Sequence, residues 1–166
     1  MGSLALIDLI RLLLIFVLVY LAYIDLRTFR LPDLITLPLI FLGLCFNSFL
    51  NLPLVGPQES ILGALLGYLF LWLLNRIYRY LRQQDGIGMG DAKLLAGLGA
   101  WLGWHALPSI LLIASTSGII GGMLWLRLNK QKHGSPFPFG PFLIFAGIIE
   151  LLWPQLLQHL LLNSPT

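Results

Sequence analysis

A chain of 166 residues that is 58% hydrophobic and 10% charged, with a mean hydropathy of +0.88, is not a soluble domain, in which about a quarter of the residues carry charge. Its single cysteine, Cys45, excludes an internal disulfide and any multi-cysteine metal site. The formal net charge of +3 is read as a topology signal and as contact with anionic lipid headgroups, not as a nucleic-acid-binding surface.

Six apolar segments follow one another: Leu9–Ile24, Leu34–Leu50, Ile61–Leu74, Leu94–Leu107, Pro108–Leu126 and Phe139–Leu162. The first has no small-residue cleavage site after it, and further spans follow, so it is read as a retained helix and not a signal peptide. Several segments are shorter than the roughly 20 residues of a membrane-spanning helix, so their ends are expected to extend into the flanking polar residues. No repeat or low-complexity stretch interrupts the chain. The expectation is an all-α polytopic membrane protein of about six transmembrane helices, one domain over residues 1–166.

The connectors give an orientation. Arg27 and Arg30 follow the first segment; Arg76, Arg79, Arg82 and Lys93 follow the third; Arg127, Lys130 and Lys132 follow the fifth. Nine of the ten basic residues thus fall on one side, with Arg11 the exception, and the connector 51–60 has none. Basic loops stay in the cytoplasm, which puts both termini outside and makes the weak span 94–107 necessary.

In that topology two carboxylates share one depth. Asp25 ends the first span in "YLAYIDLRTFRLPD" and Asp91 opens the fourth in "GIGMGDAKLL". A carboxylate beside a span is costly and marks function by default. Two held close together share a proton, because like charges at short range do not both ionise easily. One then takes a proton from water attacking a carbonyl while the other donates to the carbonyl oxygen. No metal, cofactor or nucleophilic side chain is needed. Gly86, Gly88 and Gly90 precede Asp91; they are read as a side-chain-free loop that admits a substrate backbone and takes angles other residues resist.

These residues carry a resemblance. "DLRTFRLPDLIT" (Asp25–Thr36), "GMGDAKLLAGLGAWLG" (Gly88–Gly103) and "PFPFGPFL" (Pro136–Leu143) resemble the type IV prepilin peptidases, membrane aspartyl proteases of the Gly-x-Gly-Asp class. The resemblance covers nearly the whole chain. It implies catalytic roles for Asp25 and Asp91. It also implies prepilin or pseudopilin substrates, with a short basic leader ending in glycine before an apolar helix, and a site at the cytoplasmic face of the bacterial inner membrane. Long members have a cytoplasmic insertion with two Cys-x-x-Cys pairs, associated with N-methylation. This chain resembles a short, peptidase-only member, and N-methyltransferase activity is not expected. The resemblance fixes neither the pilus or secretion system served nor the oligomeric state.

Other residues have plainer readings. Asp33 is expected to cap the second helix, with substrate contact as the alternative. Lys93 points away from Asp91 on a helix and reads as a snorkelling anchor. Asp85 reads as a solvated loop charge. Gly140 and Pro141 either start the last helix or line the substrate path. Glu150 and His159 read as interfacial, and Trp101, Trp104 and His105 as an interface belt. Gly63/Gly67, Gly99/Gly103 and Gly118/Gly122 have the four-residue spacing of close helix packing. Cys45 reads as packing. A Ser117–His105 serine protease lacks the expected glycine–serine environment, and no His-Glu-x-x-His occurs. A small carboxylate-based transporter or proton-conducting protein is the alternative from another class.

Overall fold

The computed structural model describes residues 2–49, 53–83, 88–129 and 138–154, without the side chains of 2–4 and 125–129. Asp85, Gly86, Lys130, Lys132 and His159 lie outside the described residues. The architecture is that of an all-α polytopic membrane protein. Its helices are α1 (Gly2–Thr28), α2 (Asp33–Phe49), α3 (Pro57–Arg82), α4 (Met89–Leu102), α5 (Leu107–Asn129) and α6 (Gly140–Leu152). No strand occurs among the described residues.

Three stretches are long and apolar enough to cross a membrane: Ala5–Thr28, Pro57–Arg82 and Trp104–Leu124. The expected extension into polar flanks is strong for α3, which continues through Arg76 and Arg79 to Arg82. Arg76, Tyr78, Arg79, Tyr80 and Arg82 are all exposed at that helix end. α6 stops at Leu152, short of the expected Leu162, and Trp153 and Pro154 turn away. A single 3₁₀ turn, Trp104–Ala106, separates α4 from α5.

The weak fourth segment occupies the centre. From Leu94 to Trp101 every residue of α4 is buried, and α2, α3 and α6 pack around it. At 14 residues it is about 21 Å long, too short for a hydrocarbon core of about 30 Å. It has little lipid to meet, because other helices cover it.

Small residues make that centre possible. A Cβ on Gly63 would strike the Gly99 main chain, and one on Gly67 would stand 2.7 Å from the Leu95 carbonyl oxygen. These contacts run antiparallel and bring the backbones of α3 and α4 together. Lipid tails give no hydrophobic drive for helix association, so such van der Waals contact is the main attraction. Gly99 and Gly103 pack as their spacing predicts, since a Cβ on Gly63 would meet the main chain of both. Gly103 ends α4 at φ +80, a conformation that suits glycine. The α5 pair is corrected: it is Gly121, not Gly122, that admits a ring, that of Phe142.

Polar groups finish α4. The Asn47 side-chain amide donates to the carbonyls of Ala100 (2.9 Å) and Trp101 (3.3 Å), and its oxygen accepts from Leu54 N–H (2.9 Å) and Val55 N–H (3.3 Å). Ser60 Oγ donates to the same Ala100 carbonyl at 2.6 Å. Helix-end carbonyls inside a membrane protein need such partners. Trp101 is no interface residue. It is 8% exposed, stacks on Phe46 with centroids 5.3 Å apart, and donates to the Leu39 carbonyl.

Candidate active site

Two helix ends bring the carboxylates together. α1 stops one turn after Asp25, where Phe29 N–H donates to the Asp25 carbonyl at 2.8 Å and Phe29 takes a left-handed φ of 53. A phenylalanine there is unusual. The Thr28 hydroxyl bonds the Ile24 and Arg30 carbonyls of the same turn. α4 begins at Met89 with Gly88 in the cap position, so Asp91 stands in the first helical turn, its N–H donating to the Gly88 carbonyl.

The start of α6 lies between them. A Cβ built on Gly140 would stand 2.5 Å from Asp25 Oδ2 and 3.3 Å from Asp91 Oδ1. One point therefore lies within hydrogen-bonding range of an oxygen of each carboxylate. The Gly140 main-chain amide also faces the Asp25 carboxylate. Asp25 is 4% exposed, and its Oδ2 has no hydrogen-bond partner among the described residues. Asp91 is partly exposed. An apolar site where two carboxylates meet, one sealed and one reachable, can hold a water and share a proton.

Of the glycines before Asp91, Gly88 and Gly90 are described, and Gly90 has a packing reason of its own. Gly88 is extended at φ −65, which any residue adopts, and Gly90 is helical. Gly90 is small because a Cβ there would stand 2.9 Å from Leu31 Cβ. It is the protein's own α1–α2 connector that approaches closely. Gly88 faces its own Asp91, whose Oδ2 would lie 3.5 Å from an added Cβ.

Asp33 and Lys93 are corrected together. Pro32 occupies the cap position of α2, its carbonyl accepting from Ile35 and Thr36 N–H. Asp33 opens the helix and accepts from Lys93 Nζ at 2.6 Å, with side chains 58% and 24% exposed respectively. Lys93 is thus an interhelical partner and not a free anchor. Gly140 and Pro141 form the first turn of α6, the helix-starting alternative, and the space a Gly140 side chain would fill borders both carboxylates.

Elsewhere the expectations part. His105 is exposed with its ring tilted against that of Trp104, while Ser117 donates to the Ile113 carbonyl about three turns along α5, so the two do not meet. Glu150 is 3% exposed, not interfacial. With Arg11, Glu59 and His105 it lines a cavity of about 350 Å³ at the opposite end of the bundle. No group of three or more His, Cys, Asp or Glu fit to hold a metal occurs among the described residues.

A profile described as "Type IV leader peptidase family" matches residues 12–123. The protein named prepilin leader peptidase/N-methyltransferase of Aeromonas salmonicida is 48% identical over 142 residues, covering 86% of this chain and 48% of that protein. Those of Pectobacterium carotovorum and Dickeya chrysanthemi are 42% and 46% identical, over 85% and 81% of this chain and 50% and 47% of theirs. The chain spans about half the length of these curated relatives. No solved structure matches it.

Proposed function

Because the chain belongs to the type IV leader peptidase family, we propose that it is an aspartyl endopeptidase that removes the leader peptide from prepilins or pseudopilins. The observation that carries this reading is the meeting of Asp25 and Asp91 at the Gly140 main chain. In the reaction one carboxylate is ionised and takes a proton from the attacking water. The other is protonated and hydrogen-bonds the scissile carbonyl oxygen as it becomes negative. The proton then passes to the leaving amine, and the pair returns to its starting charge. Partial exposure of Asp91 gives a peptide a way in, while burial of Asp25 keeps bulk water out.

We place the site at the cytoplasmic face of a bacterial inner membrane, with both termini outside, serving a type IV pilus or type II secretion system. The support is the cluster of Arg27, Arg30, Arg76, Arg79, Arg82 and Lys93 at the dyad end. A transporter reading lacks comparable support, since the facing carboxylates stand at helix ends and not at mid-helix. The relatives' names carry two activities, and the peptidase one is what the dyad explains.

The test is to incubate the purified chain in detergent with a full-length prepilin and measure the product mass. The expected product has lost its leader at a single bond. An uncut prepilin, with the enzyme folded and monodisperse, contradicts the reading.

A further inference from the structure

We propose that the Asp33–Lys93 ion pair is a positioning latch that sets the approach of Asp91 to Asp25; this rests on the peptidase reading above. The two helices that carry the carboxylates are not each other's main neighbours. α1 packs chiefly on α6, whereas α4 packs chiefly on α3 and α2. The spacing of the carboxylates is therefore set by what ties the end of α1 to the start of α4.

Two ties exist. One is the Gly140 turn of α6, where a Cβ on Gly140 would lie against an oxygen of each carboxylate. The other is the α1–α2 connector. Leu31, 8% exposed, seats on Gly90, the residue before Asp91. Two residues on, Asp33 accepts from Lys93 at 2.6 Å. The first turn of α4 is thus gripped by Leu31 on one side of Asp91 in sequence and by Asp33 on the other. The connector that grips it begins four residues after Asp25.

The grip acts on rotation. Side chains two apart on a helix point to different sides, so Asp91 faces the dyad while Lys93 holds α2. A carboxylate stands about 5 Å from its helix axis, so turning that helix end by about 10° moves it about 1 Å. A displacement of that size costs about a hundredfold in rate. The pair is half exposed and contributes little to global stability; its effect lies in orientation.

The experiment measures kcat and KM for prepilin cleavage by Asp33→Asn, Lys93→Met, Lys93→Arg and the double exchange Asp33→Lys with Lys93→Asp, each purified and monodisperse. The two charge-removing variants are expected to lose about 10- to 100-fold in kcat with KM within about twofold. Lys93→Arg is expected to keep kcat within about threefold, and the double exchange to recover at least about tenfold over the worse single variant. A KM rise at unchanged kcat in Asp33→Asn would make Asp33 a contact for the basic leader and overturn the latch. So would unaltered kinetics, or a double exchange no better than the single variants, including the case in which none of them folds. A wild-type chain that cleaves nothing fails the peptidase reading instead, which keeps the two failures apart.

Discussion

Gly140 stands against Asp25 so closely that a single added carbon would lie 2.5 Å from its Oδ2. Glycine at the start of α6 is therefore a condition of the dyad's geometry, although φ there is ordinary. Gly140→Ala must push Asp25 or the α6 turn aside. The expected result is a loss of about a hundredfold or more in kcat, with a stability cost of about 1–3 kcal/mol, the usual range for overpacking. Cleavage kinetics together with thermal melting in detergent check it. Wild-type kcat in this variant would show that the α6 turn does not constrain the site.

Asn47 predicts the opposite pattern. It joins α2, the 53–55 connector and the end of α4 through four hydrogen bonds, far from the dyad. Asn47→Leu removes the side-chain partner of the Trp101 carbonyl and of the Leu54 and Val55 N–H groups, at about 1–3 kcal/mol for each group stranded, while the Ala100 carbonyl keeps Ser60. A clear drop in melting temperature is expected, with kcat per folded molecule within about threefold of wild type. An undiminished melting temperature would contradict the tie.

Much of this was legible from composition and spacing. Hydrophobic blocks gave six helices, and the basic residues placed Asp25 and Asp91 at one end. What escaped the sequence was tertiary. Lys93 and Asp33 lie 60 positions apart, and spacing within a helix says nothing about a partner on another. Trp101 looked interfacial beside Trp104 because both flank a turn, yet it points inward to Leu39 and Phe46. Gly90 marks a close approach, but the sequence did not show that Leu31 is what approaches. Glu150 showed no burial signal, because one acidic residue near a chain end resembles an interfacial one.

The orientation is open to labelling. Thr28 is exposed at the dyad end, and Gln58 is exposed at the other. In a Cys45→Ser background, Gln58→Cys is expected to react with an impermeant thiol reagent outside intact cells, whereas Thr28→Cys is expected to resist it until the cells are opened. Reaction at position 28 from outside would invert the topology.

A carboxylate pair that shares one proton has a defined pH response. Below the lower of its two apparent pKa values the base is protonated, and above the higher one the acid has lost its proton, so kcat is expected to fall on both sides of an optimum. The profile belongs to the pair and not to either residue. A plateau extending across the whole acid range, in enzyme that stays folded, would contradict the shared proton.

The most direct test of the central claim is cleavage of prepilin by purified Asp25→Asn and Asp91→Asn. Each replacement keeps the shape of the side chain and removes its ability to exchange a proton. The account predicts that both variants insert and purify like wild type and that each loses all measurable cleavage, while Asp8→Asn and Glu59→Gln retain activity. Cleavage at the wild-type rate by either dyad variant would contradict it.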